Sequence, residues 1–326
     1  MRDAETVAKV LASGKTPAGT HRPIMVTEMI AALMPRPGAL VVDCTLGYGG
    51  HARELLAHLL PDGHLLGLDA DPLELPKTEA RLREAGFGPE AFTAVRTNFA
   101  GLPQALVTVS SLSSARSAAN SDSLLMGADC ILADLGVSSM QLDDPARGFS
   151  TKSDGPLDMR MNPRRGQSAA ALLVRSSSES LAELFKTNAD EPRARELAAV
   201  LAQRSFTTTR ELTDAIRAAS PETAKDEVDL TVRRVFQALR IAVNDEFSAL
   251  NALLRSLPTC LNPGGRVAIL TFHSGEDRRV KQAFAAGLRD GTYAEIARDV
   301  IRPTAEERHD NPRSSSAKLR WARRCS

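Results

Sequence analysis

Short apolar runs recur along this chain, and three of them end in an acid. Ala39-Leu40-Val41-Val42 stops at Asp43, His64-Leu65-Leu66-Gly67-Leu68 at Asp69, and Cys130-Ile131-Leu132-Ala133 at Asp134. Runs this short and this apolar predict buried strands. Helical spacing fills the intervals. Leu55, Leu56, Leu59 and Leu60 mark one face of a helix that Pro61-Asp62-Gly63 stops. Asp71-Pro72 opens a second helix to about Glu84, because Pro is tolerated in a first turn. Gly86-Phe87-Gly88-Pro89 breaks it, and Ala91 to Thr97 predicts a third strand that ends at Asn98-Phe99. Upstream, His21-Arg22-Pro23-Ile24-Met25-Val26 precedes a short amphipathic helix with Thr27 as its cap.

The rhythm then changes twice. Residues 107–127 are serine-rich and predict a low-complexity loop. Residues 140–165 are dense in turn signals, too long for an idle connection. From 168 to 245 the pattern is helical only, with amphipathic stretches at Ser180 to Lys186 and Glu191 to Gln203. Thr208-Thr209-Arg210-Glu211 forms a capping box. Val232, Val235, Phe236, Leu239 and Val243 form an apolar stripe, with Arg233, Arg234 and Arg240 off it. The α/β pattern resumes with a helix to Leu257, a turn at Asn262-Pro263-Gly264-Gly265, a strand from Arg266 to Thr271, a helix capped by Ser274, and a last strand from Lys318 to Arg323. The expected organisation is a polar extension (1–20), an α/β domain in two parts (21–142 and 246–326) that close one sheet, and an inserted helical domain (143–245).

Bulk composition adds limits rather than identity. The 326 residues are 43% hydrophobic and 25% charged, as in an ordinary globular protein, with a net charge of only +1. A nucleic-acid partner therefore has to be met by local basic patches. No run approaches the ~20 apolar residues of a membrane span, and the first residues lack a signal-peptide core. The four scattered cysteines lack metal-ligand spacing, so no metal site is expected and reduced thiols in a cytoplasm are the default.

The candidate chemistry gathers where the first strand ends. Gly47-Tyr48-Gly49-Gly50-His51 links that strand to a helix. A glycine turn lets a nucleotide-like ligand approach the backbone beyond the carboxyl ends of parallel strands. Asp69, about 20 residues on, suits a ribose diol. The turn is not G-x-G-x-x-G, which counts against a dinucleotide, and Asp43 suits a cationic ligand such as S-adenosylmethionine. Phe99 is placed to stack on an adenine, or else belongs to the core. Asp134 ends the strand beside the first one, so three acids point at one crevice. His273, at the end of a late strand, is either a site residue or a satisfied strand-end histidine.

Several stretches together resemble the small-subunit ribosomal RNA (cytosine-N4)-methyltransferase family. They are Asp43-Cys-Thr-Leu-Gly-Tyr-Gly-Gly-His51, Leu68-Asp-Ala-Asp71, Asp134-Leu-Gly-Val-Ser-Ser139, Gln141-Leu-Asp-Asp144, Arg147-Gly-Phe-Ser150, Asp154-Gly-Pro-Leu-Asp-Met-Arg-Met161, Phe236-Gln-Ala-Leu-Arg-Ile241 and Phe272-His-Ser274. The resemblance implies a Rossmann-like class I methyltransferase sheet with an inserted all-helical domain. It further implies S-adenosyl-L-methionine held by Gly49, Gly50, His51, Asp69, Phe99, Asp134 and Gln141, and a cytosine of 16S rRNA, within the small ribosomal subunit, as substrate. Asp134 is then the expected catalytic residue, with the carbonyls of Leu135-Gly136 as the alternative acceptor for the cytosine amine, and Arg160, Arg164, Arg165, Arg233 and Arg234 are the candidates for RNA phosphate. Three departures stand out: Asp229-Leu230-Thr231-Val232 replaces the family's His-Pro-Ala, Gly275 replaces a Leu, and 107–127 reads as an insertion. The rivals are a nicotinamide-dependent oxidoreductase, which Asp69 also suits, and a non-catalytic RNA-binding assembly factor. An amino-methylating DNA enzyme is disfavoured, since Leu135-Gly136-Val137 follows Asp134 where those enzymes carry Pro-Pro and an aromatic.

Overall fold

The computed structural model describes residues 23–114, 127–220 and 224–326. The expected polar extension at 1–20, and His21, lie outside these residues. The described residues fall into two compact units, one running to Gly136 and resuming at Ser248, the other Val137–Phe247.

In the first unit the apolar runs become β1 (Leu40–Asp43), β2 (His64–Asp69), β3 (Phe92–Arg96), β4 (Ala128–Asp134), β5 (Leu261–Thr271), β6 (Tyr293–Ile296) and β7 (Lys318–Arg324). They form one sheet in the order β3-β2-β1-β4-β5-β7-β6, parallel except at β7, which runs antiparallel to both neighbours. This is the Rossmann-like class I methyltransferase sheet, assembled from both halves of the chain. Side-chain alternation sends Val42, Leu66, Leu68, Ile131 and Ile269 to one face, under α4 (Leu102–Ser114), α11 (Glu246–Cys260) and α12 (Ser274–Arg289). Val41, Leu65, Leu132, Ala268 and Leu270 pack on the other, under α1 (Val26–Leu33), α2 (Gly50–Leu59) and α3 (Leu75–Glu84). Strands buried on both faces read as continuous apolar runs, which is why they stand out in the sequence.

Several boundaries move for local reasons. Leu60 is not on the α2 face: its backbone is already extended and its side chain is 45% exposed. α3 starts at Leu75 rather than at Asp71, because the Asp71 carboxylate accepts the Leu73 N–H and holds the chain in a turn first. Thr27 lies inside α1. The cap is Met25, held at φ 54° while its N–H donates to Glu307 from far along the chain. Ser274 is likewise the first helical residue, and His273 is the cap. The start of the serine-rich segment is helical through Ser114, and the rest of it lies outside the described residues. β5 begins at Leu261. Ala128 pairs with Leu261 and Cys130 with Arg266, so the predicted turn bulges out of a strand rather than preceding one. The edge strand β6 has no sequence signal, being four residues long with Ala294 and Glu295 exposed.

The second unit is helical: α5 (Ser139–Asp143), α6 (Ala169–Arg175), α7 (Ser178–Ala189), α8 (Ala194–Leu201), α9 (Thr209–Ala218) and α10 (Lys225–Asn244). The Thr208–Glu211 capping box forms as expected. The long 140–165 connection is built into the core rather than left on the surface. Leu157 and Met159 are buried, and the Arg147 guanidinium donates to the carbonyls of Arg160 and Met161. Two glycines make this path possible. At Gly148 (φ 72°) a Cβ would fall on the Pro156 carbonyl, and at Gly155 on the Pro145 carbonyl. Neither obstacle is a movable side chain. Gly155→Ala is therefore expected to destabilise the protein by about 2–4 kcal/mol, read as a lowered urea midpoint. An unchanged midpoint would contradict this backbone crossing.

Candidate functional site

Register brings the three acids together. Asp43 ends β1 opposite Gly67 of β2 and Leu132 of β4. Asp69 and Asp134 each lie two residues further along the flanking strands. All three carboxylates thus stand at the carboxyl edge of three adjacent parallel strands, on one unit of the chain.

The loop after β1 is tied to these acids. Thr45 donates its N–H to Asp43 at 3.0 Å, and its hydroxyl accepts the Asp134 N–H at 2.6 Å. Gly47 donates to Asp69 Oδ2 at 2.8 Å, while Asp71 donates to Asp69 Oδ1, also at 2.8 Å. The Gly49 N–H donates back to Leu46. Gly49 itself sits at φ 85°, and a Cβ there would stand 2.9 Å from the Thr78 methyl. Packing against α3, not only room for a ligand, therefore demands glycine. Thr78 donates its hydroxyl to the Gly47 carbonyl, Arg81 donates to Thr78, and the Arg81 guanidinium lies 3.9 Å from the Tyr48 ring centre.

His51 enters from the first turn of α2 and is 6% exposed. Its Nε2 is 2.8 Å from the Ile24 carbonyl, and its Nδ1 is 3.5 Å from Asp134 Oδ2. Asp134 Oδ1 is buried without a hydrogen-bond partner, although the side chain as a whole keeps 27% of its exposure. The open edge of this carboxyl is thus the one that faces His51. Glu276 of α12 contributes negative charge nearby, with its carboxylate on the Phe272 N–H at 2.9 Å and on His273 at 3.1 Å. His273 therefore serves as the cap of α12, paired with Glu276.

Burial dominates the electrostatics. It pushes Asp134 up to about 7, with Glu276 adding to the rise. It pushes Asp43 to about 6 against the opposing pull of His51 and the Thr45 N–H, and Asp69 to about 6 against the two N–H donors. His51 moves down, again through burial. The Cys44 thiol beside Asp43 is driven far above the ordinary thiol range and is inert.

The structure thus gathers Gly49, Gly50, His51, Asp69 and Asp134 at one edge, with Asp43 between them. Phe99 opens a one-turn helix after β3 and packs half-buried against the core. Gln141 belongs to the other unit, where its side chain closes a capping box with Ser138. The sequence assigns no site role to Thr45 or Thr78, and to Glu276 only that of an acid at a helix start. Only Thr45, a hydroxyl two residues past a strand-end acid, carried a local signal. Among the phosphate candidates, the Arg160 guanidinium donates two hydrogen bonds to Asp158, and Arg234 lies 3.8 Å from the buried Glu191. Arg164, Arg165 and Arg233 are exposed. No group of three or more His, Cys, Asp or Glu side chains suited to a metal occurs among the described residues.

A family model described as the MraW methylase family matches residues 18–325. A ribosomal RNA small subunit methyltransferase H 2 of Alkaliphilus metalliredigens is 46% identical, over 98% of this chain and 89% of that protein. The methyltransferase H 1 of Lachnoclostridium phytofermentans is 45% identical, over 98% and 85%. That of Symbiobacterium thermophilum is 40% identical, over 92% and 95%.

The raised carboxyls make a stability prediction. A carboxyl whose folded value lies above its unfolded one stabilises the fold at acid pH, and that contribution is lost as pH climbs through the folded value. For Asp43, Asp69 and Asp134 the window runs from about 4 to about 7. The ligand-free protein should therefore unfold at lower temperature at pH 8 than at pH 5. Asp134→Asn should raise the pH 8 midpoint by roughly 2–4 °C or more and flatten this dependence. A lower midpoint in the variant at pH 8 would contradict the assigned burial cost.

Proposed function

The chain belongs to the MraW methylase family, and on that premise we propose that it methylates the N4 amine of a cytosine in the decoding region of 16S rRNA, with S-adenosyl-L-methionine as cofactor. The observation that carries this reading is the trio of strand-end carboxylates around a glycine turn. S-adenosylmethionine brings a ribose diol, a sulfonium, an ammonium and no phosphate. Asp69 keeps a lone pair on each oxygen beyond its two backbone donors, as a diol requires. Asp43 and Asp134 offer negative charge to a cation. The N–H groups of Thr45, Gly47 and Gly49 are already spent on Asp43, Asp69 and Leu46. They are not aimed outward as a pyrophosphate cradle would need, which argues against the nicotinamide rival.

When bound, the cofactor supplies an electrophilic methyl group. The protein's share is placement. The cytosine amine is a poor nucleophile because its lone pair is delocalised into the ring. The open edge of Asp134 accepts a hydrogen bond from that amine, which localises the lone pair and aligns it. The base has to leave its stack to arrive there. Exposed Arg164, Arg165 and Arg233 are the stronger phosphate contacts, since Arg160 and Arg234 already face acids. The assembled small subunit is the proposed substrate and the cytoplasm the proposed location. No helix among the described residues is long and apolar enough to cross a membrane.

The test is transfer of tritiated methyl from S-adenosylmethionine to small subunits that lack the modification, followed by digestion to nucleosides. Label is expected in N4-methylcytidine. Asp134→Asn should lower turnover about 100-fold or more. Asp69→Asn should weaken S-adenosylhomocysteine binding about 10-fold or more, measured by calorimetry. Full turnover by a folded Asp134→Asn protein would refute the assignment.

A further inference from the structure

The methylated amine must lose a proton, and two groups able to accept one, Asp134 Oδ2 and His51 Nδ1, stand 3.5 Å apart at the strand edge. The Ile24 carbonyl can only accept, so the His51 Nε2 at 2.8 Å carries the hydrogen. This fixes the tautomer and leaves a lone pair on Nδ1 of the neutral ring. That nitrogen stands 3.5 Å from Asp134 Oδ2, and no hydrogen bond joins them. Two acceptors held this close repel unless a proton comes between. The far oxygen, Oδ1, is buried without a partner, so it offers no outlet.

Resting on the methyltransferase reading above, we infer that Asp134 Oδ2 and His51 Nδ1 together form the proton acceptor of the reaction. The N4 lone pair forms the new bond to the methyl carbon, leaving the sulfur–carbon electron pair on sulfur. N4 then carries a positive charge. One of its N–H bonds breaks, the pair returns to nitrogen, and the proton moves to Oδ2, where it donates to Nδ1. The acceptor pair is empty before the step and holds one proton after it. The product amine leaves neutral.

The surrounding charges set the pH dependence. His51 is faced by Asp43 from β1, Asp134 from β4, Glu54 from its own helix and Glu307 from α13 (Ala305–Asp310). These acids favour imidazolium, but burial outweighs them and the ring's titration moves down. Asp134 is faced by Glu276 from α12, by Asp43 and by His51. Its carboxyl is poised to change charge near neutrality, so the rate should rise with pH through about 7.

The experiment has two arms. The first uses ligand-free protein with 15N-labelled histidine and needs neither RNA nor cofactor. At pH 8 the His51 resonances should show a protonated Nε2 and a bare Nδ1. A protonated Nδ1 at that pH overturns the inference, whatever the reaction proves to be. The second arm compares single-turnover methyl transfer across pH for the parent and for His51→Asn. Loss of the Nδ1 acceptor should slow transfer about 10-fold or more and move the inflection to lower pH by about one unit, because protonated Asp134 loses its partner. A slower variant with an unmoved inflection, or one moved to higher pH, assigns His51 a structural or charge role and overturns the inference alone. Absence of any transfer by the parent protein overturns the methyltransferase reading and this inference together.

Discussion

Burying three carboxylates at one edge of the sheet is the constraint on which the rest of this structure turns. Each of Asp43, Asp69 and Asp134 would be cheaper in water, and the shift of all three toward neutrality measures that cost. The fold offsets it with backbone donors. Thr45 and Gly47 turn inward for Asp43 and Asp69, and Thr45 further accepts from the Asp134 backbone. The loop is therefore shaped by its acids as much as by the ligand it would hold. Asp134 is the exception. It receives no side-chain donor, keeps an open edge, and is raised furthest of the three. A carboxyl left this unsatisfied in an otherwise well-bonded site is the place to look for chemistry.

What the sequence made legible is what adjacency controls. Strands buried on both faces appear as unbroken apolar runs, and their terminal acids fall at the same edge because parallel strands share a direction. The same rhythm on either side of the helical stretch is what points to one sheet, although the units divide after Gly136 and Phe247 rather than at 142 and 245. Caps fared less well. Thr27 and Ser274 satisfy the local preference for a hydroxyl at a helix start. Met25 and His273 take those positions because Glu307 holds Met25 from 282 residues away and Glu276 binds His273.

The site divides along the same line. Asp69 and Asp134 could be read from their place at strand ends. The state of His51 could not, since it depends on the Ile24 carbonyl 27 residues earlier and on a strand 83 residues later. Thr78 and Arg81 brace the glycine turn from α3 without any motif to announce them. Glycine at position 49 looked like room for a ligand, yet the nearest obstacle to a side chain is Thr78. A glycine-rich turn is thus weak evidence for a ligand, whereas the destination of its N–H groups discriminates between ligands.

A nearly neutral chain would have to grip RNA through local contacts. A net charge of +1 supplies no long-range pull. Several arginines in the helical unit are already committed: Arg160 to Asp158, Arg240 to Glu246, and Arg217 to Asp229. An arginine held by an acid adds little net charge but presents its remaining donors in a fixed orientation, which suits shape recognition more than bulk attraction. The exposed Arg164, Arg165 and Arg233 would supply the salt-sensitive part. Under the proposed function, selectivity would come from placing a base beside Asp134 rather than from electrostatic capture, which would draw in any RNA.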